Sequence, residues 1–290
     1  MYFSLILATL NRPKEIKECL YSLINQECQD FEVLVIDQSE NDLTKEVIDE
    51  VIDEFEWCVI KYYKVEFKGL SKARNFGIKH ASGLYLCLLD DDAIYSKNYL
   101  CNAKKKLTSN ADEVLSGKIL SIEDRITPFV KYEKNKSNIT VSGIINYCPS
   151  AALIIPLKAI NQSGAFNEQL GVGNKFAAGE ETDLLLRIHD LGYKVLFCDD
   201  LVVYHPIKPV DYTNLTPIYS HAMGKGALAR IDFFYRKKMR MIVFILRNTI
   251  GMFIKSVVYC FNDNLRRYYK ARMIGFWYGF RNFEKKGEIL

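Results

Sequence analysis

The chain lacks the features that would settle its class at once. It has eight cysteines but no Cys-x-x-Cys pair and no Cys/His cluster at zinc spacing, so a disulfide scaffold and a structural zinc site are excluded. Glycine is present without a Gly-x-Gly-x-x-Gly or Walker spacing, which removes the dinucleotide-dependent oxidoreductases and the P-loop enzymes. There is no internal repeat and no low-complexity tract. No apolar run long enough to span a bilayer is free of charge: the best stretch, Met241–Phe261, is interrupted by Arg247 and Lys255. Each cation at the centre of a span would cost about 2.5–3.5 kcal/mol. What is there is a 290-residue chain, 49% hydrophobic and 26% charged, enough for one large or two modest domains with a buried core.

Its net charge of +4 conceals an asymmetry. Residues 206–290 hold 16 Lys and Arg against 5 Asp and Glu, whereas residues 1–205 hold 23 against 30. A basic tail on an acidic body is attracted to anionic partners, with a membrane surface and nucleic acid as the candidates. The apolar start, Met1 to Leu10, is short, has no basic leader and runs into Asn11-Arg12-Pro13. It reads as a buried strand rather than a signal peptide, and the expected compartment is the cytoplasm, with the cysteines reduced.

The first hundred residues alternate apolar runs with amphipathic segments. Strands are expected at Phe3–Thr9, Phe31–Asp37, Cys58–Val65 and Leu84–Leu89, and helices at Lys14–Gln26, Leu43–Phe55, Ser71–His80 and Ser96–Leu107. That rhythm implies an α/β fold, a mostly parallel sheet flanked by helices, with ligands at the carboxyl ends of its strands. Further strands are expected at Val114–Leu120, Cys148–Ile155, Lys194–Cys198 and Leu201–Tyr204, and a helix at Glu180–Leu191. After His205, prolines 206, 209 and 217 mark a boundary beyond which the chain turns helical and basic. In Met241–Phe261, Arg240, Arg247, Asn248, Gly251, Lys255 and Asn262 share an arc opposite most of the apolar residues, the pattern of an amphipathic helix lying on a bilayer or packed on the body.

Three local patterns carry chemistry. Leu88-Leu89-Asp90-Asp91-Asp92 is an apolar run ending in three carboxylates, where Asp90 and Asp92 point the same way from a strand end. It is either a hard-ligand site for Mg²⁺ or Mn²⁺ holding a diphosphate or an acidic turn capping the next helix. Gly179-Glu180-Glu181-Thr182-Asp183 opens a helix: its carboxylates either complement the helix dipole or include a general base. On a helical wheel Glu181 faces inward with Leu184 and Ile188, and Asp183 faces outward towards an exposed pair with Arg187, leaving Glu180 and Asp183 secondary candidates. The preceding Gly171–Gly179 reads as a mobile loop. Lys72 and Arg74 begin a helix after a strand, a place that suits phosphate as well as a solvated face. His205 ends a strand, as a structural residue or as a partner of the metal.

Taken in order, these pieces resemble the family 2 glycosyltransferases of GT-A fold, over roughly residues 3–205. Ser4 to Arg12 is similar to the family's opening strand and loop, with Ala8 and Leu10 where proline and tyrosine are usual; Val35-Ile-Asp37 is similar to its base-reading strand. Gly69 to Gly77 resembles the segment that sets an arginine beside the nucleotide, and Asp90–Asp92 resembles its Asp-x-Asp signature. The acidic motif at Glu180 resembles the one supplying the base, with Glu181 where aspartate is commoner.

The resemblance implies a nucleotide-sugar-binding and catalytic domain at 1–205 and, beyond it, a helical, amphipathic region at 206–290 expected to associate with a membrane. It implies a metal-dependent, inverting transferase of hexosyl or N-acetylhexosaminyl type. The donor site would include Thr9, Asn11, Arg12, Asp37, Lys72, Arg74, Asp90 and Asp91; the metal, Mn²⁺ or Mg²⁺, would be held by Asp92 and His205; Glu181 would be the base. Asp37 favours a UDP-sugar. The acceptor would be a glycan or a polyprenyl-linked glycan, and residues 206–290 would meet an anionic membrane on its inner face; nucleic acid is not expected. The competing reading is a non-catalytic nucleotide-sugar or glycan-binding module of the same fold.

Overall fold

The computed structural model describes residues 1–55, 58–107, 112–130 and 138–284; the last six residues of the basic tail lie outside the described residues. The chain divides into two compact units. The first comprises 1–68, 72–165 and 184–207, the second 69–71, 166–183 and 208–290.

The first unit is built on one eight-stranded sheet. In chain order its elements are β1 (Phe3–Thr9), α1 (Pro13–Ile24), β2 (Phe31–Asp37), α2 (Leu43–Glu54), β3 (Val59–Lys64), α3 (Leu70–His80), β4 (Tyr85–Asp90), β5 (Ile94–Tyr95), α4 (Tyr99–Leu107), β6 (Glu113–Ser121), α5 (Val141–Tyr147), β7 (Leu153–Pro156) and α6 (Leu157–Ser163). After α7 (Glu180–Asp190) comes β8 (Lys194–His205). The strand order is β3-β2-β1-β4-β7-β6-β8-β5. β1 pairs in parallel with β2 and β4, β2 with β3, and β6 with β8, whereas β7 runs antiparallel to β4 and β6 and β5 antiparallel to β8.

β1 and β2 are buried along their whole length because helices cover both faces. Phe3, Leu5 and Leu7 pack with Ile16, Leu20 and Leu23 of α1 in the main core. Alternate residues face the other way: Ile6 and Ile36 press on Gly77 of α3, where a Cβ would stand 2.7 Å from Ile6 Cγ2. A core leucine truncated to alanine at such a position costs about 2–5 kcal/mol. Within this layer Glu32 is fully buried and accepts from Ser4 Oγ (2.6 Å), Ser82 N (2.7 Å) and Lys61 Nζ (2.6 Å). Burial alone would raise its carboxyl, but these donors outweigh it and push the pKa down to about 2.

Two expectations are corrected here. Cys148–Ile155 is not one strand: Thr140 Oγ1 caps α5, a 3₁₀ turn occupies Ser150–Ala152, and the strand begins at Leu153. Lys194–Cys198 and Leu201–Tyr204 are one strand, β8, whose register against β6 shifts between Ser116 and Lys118. All eight cysteines are free thiols.

The second unit is helical: α8 (Thr216–Arg230) ends in a π-turn (Ile231–Tyr235), and α9 (Met241–Leu246), a second π-turn (Arg247–Gly251) and α10 (Met252–Val258) run on as one helical rod before α11 (Asp263–Asn282). α8 and α11 meet backbone to backbone through glycine. A Cβ on Gly226 would stand 1.9 Å from the Phe276 carbonyl oxygen and one on Gly279 1.9 Å from that of Met223, so neither position tolerates a side chain. Leu170, Phe176, Met223, Ala227, Ile231 and Phe283 form this unit's own core. The rod packs through Met241, Phe244, Asn248 and Met252, which are buried, and leaves Val243 (74% exposed), Phe253, Ile254, Val257 and Val258 in solvent. By length and composition, Met241–Val258 is long and apolar enough to cross a membrane.

Candidate functional site

The carboxyl ends of β1, β2 and β4 lie side by side, since Thr9 pairs with Asp37 and Ala8 with Asp90. The chain leaves β1 through Asn11, whose φ of 55° lies in the left-handed region that asparagine tolerates; its N–H donates to Ser39 Oγ (2.7 Å). The three carboxylates at the end of β4, one closing the strand and two in the turn that follows, then separate. Asp91 is buried and turned to the first loop: Thr9 Oγ1 donates to its Oδ2 (2.7 Å) and Arg12 Nη1 to its Oδ1 (2.8 Å). Asp90 and Asp92 instead both approach His205, whose Nε2 lies 3.0 Å from Asp92 Oδ1 and 3.9 Å from Asp90 Oδ2.

Three cations compensate the cluster. Arg12 Nη1 bridges Asp91 to Asp92 Oδ2 (2.9 Å), and Arg74, fully buried, donates from Nη2 to Asp90 Oδ1 (3.1 Å) and to Ser150 Oγ (3.0 Å). Burial raises the Asp91 carboxyl, against the pull of Thr9 and Arg12. For Asp92 burial also acts upward but is outweighed by His205 and Arg12, so its carboxyl is held below the ordinary range. His205 is the reciprocal case: burial lowers it, and Asp92 and Asp90 more than restore it.

The fit to a divalent cation follows from His205. Its Nδ1 lies 2.9 Å from the Pro206 carbonyl oxygen, which only accepts, so Nδ1 carries the proton. Nε2 then faces a carboxylate oxygen, and a proton or a metal ion reconciles the two acceptors. Among the described residues no three His, Cys, Asp or Glu side chains form a ready-made metal cage. Mg²⁺ and Mn²⁺ sites on phosphate substrates need only one or two protein carboxylates, with phosphate oxygens completing the shell. Asp92 with His205 fits that pattern.

The other donor-site candidates are placed as follows. Asp37 is buried at the end of β2 and accepts from Ser39 N (2.8 Å), Tyr62 Oη (2.8 Å) and Lys64 Nζ (3.3 Å). Burial first, then this bond, holds the Tyr62 phenol far above its usual range. Lys72 is exposed, its ammonium 6.0 Å from the Phe67 ring. Ser150, Tyr62 and Lys64 are partners that motif reading missed; only Lys64 stood at the end of an expected strand.

The second unit holds the acidic motif. The loop before α7 is tied down rather than mobile: Ser71 Oγ donates to Leu170 O (2.6 Å), Leu70 N to Val172 O (2.9 Å) and Gly171 N to Phe176 O (2.8 Å). Gly171 and Gly173 have φ of 93° and 88°, and a Cβ on Gly173 would reach within 2.9 Å of Gly69 Cα. The wheel-based orientation of the acidic residues is overturned. Asp183, expected to be exposed, is 0% exposed and lies 2.8 Å from Arg236 Nη2, while Arg240 makes a bidentate pair with the equally buried Asp232 (2.6 and 2.7 Å). Arg187, its expected partner, instead donates to the carbonyls of Ser163, Gly164 and Ala165. Glu180 is buried too, and Glu181 is the half-buried member, with Thr182 Oγ1 3.3 Å from its Oε1. A wheel sees only neighbours on the same helix, and here the burying surface comes from the segment around Arg236.

Comparison with known proteins places this geometry. The model of glycosyl transferase family 2 matches residues 4–167, more than half of the chain. Glycosyltransferase AglE of Haloferax volcanii is 24% identical over 214 residues, covering 72% of this chain and 68% of that protein. The chain spans less than a third of the other curated glycosyltransferases it matches first. Among solved structures, S. aureus TarS 1-349 in complex with UDP-GlcNAc superposes with a TM-score of 0.63 at 17% identity, covering 94% of this chain and 90% of that one. The mannosyltransferase PcManGT of Pyrobaculum calidifontis, in complex with GDP-Man and Mn²⁺, gives 0.62 at 18% identity, covering 78% and 62%. The fold is that of these enzymes: a mixed α/β sheet with flanking helices and a helical C-terminal region.

Proposed function

The chain belongs to glycosyl transferase family 2, and on that premise we propose that it moves a sugar from a nucleoside diphosphate, with inversion, to a hydroxyl of a glycan or lipid-linked glycan. The observation that carries this reading is the meeting of Asp90, Asp92 and His205 at the carboxyl end of β4. A divalent cation held by Asp92 and His205, when bound, neutralises charge on the departing nucleoside diphosphate. Arg74 positions Asp90 from its buried fork, and Arg12 with Thr9 holds Asp91 so that the loop keeps its shape. Asp37 and its donors set the floor for the base.

Glu181 takes the acceptor proton. A single displacement needs one base and no protein nucleophile, and Glu181 is the half-buried carboxylate of a motif whose other two acids are buried. A UDP-sugar is the favoured donor and Mn²⁺ or Mg²⁺ the cofactor; the TarS complex with UDP-GlcNAc and the PcManGT complex with GDP-Man and Mn²⁺ support donors and metal of this class. The transfer is of hexosyl or N-acetylhexosaminyl type. We place the enzyme in the cytoplasm, on the inner membrane face, with the exposed apolar side of Met241–Val258 in the lipid boundary and Arg247 and Lys255 among anionic headgroups.

The test is a screen of nucleotide sugars with Mn²⁺ or Mg²⁺, scored for nucleoside diphosphate release with and without a lipid-linked acceptor. Release from one donor class in the presence of metal is expected. Donor binding without release under any condition would favour the non-catalytic binding module. Co-sedimentation with vesicles containing phosphatidylglycerol tests the membrane placement, and equal recovery with neutral vesicles would contradict it.

A further inference from the structure

The helical turn that carries Glu181 is held from behind by a line of alternating charges. Asp183 stands two residues after Glu181 in α7, and so across the helix axis from it. Its Oδ1 lies 2.8 Å from Arg236 Nη2, Arg236 Nη1 lies 3.6 Å from Asp232 Oδ1, and Asp232 takes the fork of Arg240 at 2.6 and 2.7 Å. Both acids are fully buried, and the two arginine side chains are 11% and 15% exposed. Among the described residues the one side-chain hydrogen bond to Glu181 comes from its neighbour Thr182, Oγ1 to Oε1 at 3.3 Å. The direction of the Glu181 carboxylate is therefore inherited from the turn it stands on.

Stability is a poor explanation for four charges in this place. Removing ion pairs from water costs about as much as their attraction restores, and an apolar set of the same volume is often as stable or more so. What such a set supplies is a fixed geometry, because each partner has to meet a particular oxygen or nitrogen. The backbone that brings Arg236 to α7 is fixed as closely. α8 ends in the π-turn Ile231–Tyr235, after which Arg236 N donates to Ile231 O (3.0 Å) and Lys238 N to Asp232 O (2.9 Å). Lys237 between them has a φ of 56°, in the left-handed region that side chains such as lysine rarely adopt. Such π-turns and strained residues gather at functional sites. A second contact holds the same turn of α7 from its other end. A Cβ on Gly224 of α8 would stand 2.4 Å from Ala178 O, and Gly179 (φ 92°) then accepts from Asp183 N at 2.9 Å.

We propose that Arg236, held by Asp232 and Arg240, is the positioning residue for Glu181: through Asp183 it fixes the first turn of α7, so that the Glu181 carboxylate comes within reach of the acceptor hydroxyl. The inference rests on Glu181 being the base and assigns no chemistry to Arg236 itself. A base acts only within hydrogen-bond reach, and a misplacement of about 1 Å costs about a hundredfold in rate.

The test is a cycle of variants of the full chain, read as kcat and donor KM by nucleoside diphosphate release and as the midpoint of denaturant unfolding. Asp183→Leu combined with Arg236→Met replaces the pair by apolar side chains and leaves neither of its charges stranded. The unfolding midpoint stays near that of the wild type, whereas kcat falls about tenfold to a hundredfold with donor KM unchanged. Arg236→Gln, a milder change, shows the same split between kcat and KM. Wild-type kcat in these folded variants overturns the proposal, since the pair then serves the scaffold alone. In a Glu181→Gln background the same double substitution costs nothing further, because Arg236 acts only through Glu181. An equal further loss in that background refutes the positioning role and leaves the base assigned. Transfer at the wild-type rate in Glu181→Gln alone removes the base, and with it the reading on which the role of Arg236 rests.

Discussion

The two units handle charge in opposite ways. In the first, three consecutive carboxylates are matched by Arg12, Arg74 and His205 within hydrogen-bonding reach, leaving Asp90 and Asp92 gathered on one imidazole. In the second, buried acids and arginines pair tightly at Asp183, Asp232, Arg236 and Arg240, so that their charges cancel within the scaffold. The lesson is that acids paired with arginines build the scaffold, whereas Asp92, which shares one histidine with Asp90, presents a carboxylate where a divalent cation fits.

The largest effect expected from breaking this contrast is at Asp92. Asp92→Asn should lower transfer by about a hundredfold or more, measured as nucleoside diphosphate release, and chelation of the wild type should abolish release until Mn²⁺ or Mg²⁺ is restored. Next comes Asp232→Ala, which removes the buried bidentate partner of Arg240 in the second unit. Removing one partner of a buried pair costs about 3–5 kcal/mol, to be read as a shift in chemical denaturation. Gly226→Ala should cost about 1–3 kcal/mol by forcing α8 from α11, with the same measurement.

Glu32→Gln should cost about 2 kcal/mol, since four donors, the Ser82 hydroxyl among them, lose their anion. The pH profile has a definite sign. The folded carboxyl is depressed to about 2, so its contribution is fully present above the ordinary value of 4.5 and is lost as pH falls through about 2. Acid unfolding of the wild type and of Glu32→Gln should therefore converge at low pH. The smallest effect on stability is Val243→Glu on the exposed rod, within about 0.5 kcal/mol, while recovery with anionic vesicles should fall sharply.

Much of the first unit was legible in the sequence because it is local and periodic. β1 and β2 were read to the residue: each is an apolar run broken only by Ser4 or Glu32 and closed by polar residues, Asn11-Arg12-Pro13 after one and Asp37-Gln38 after the other. The region around Cys148 misled because apolar residues between Val141 and Ile155 carry no period of their own, and a capping threonine with a proline decides where helix ends and strand begins. Asp199-Asp200 fell between two expected strands, yet β8 runs through them, with Cys198–Leu201 standing opposite the single Gly117 of β6. The candidate residues themselves could be named from motifs. Their partners could not, because Ser150 meets Arg74 and Arg236 meets Asp183 only after distant segments fold together.

The central claim is that Glu181 removes the acceptor proton while the first unit's carboxylates serve the donor. Transfer and donor affinity measured side by side in Glu181→Gln test it most directly. The account predicts that transfer falls by about 10²–10⁴-fold with donor affinity unchanged; transfer retained at the wild-type rate would contradict it.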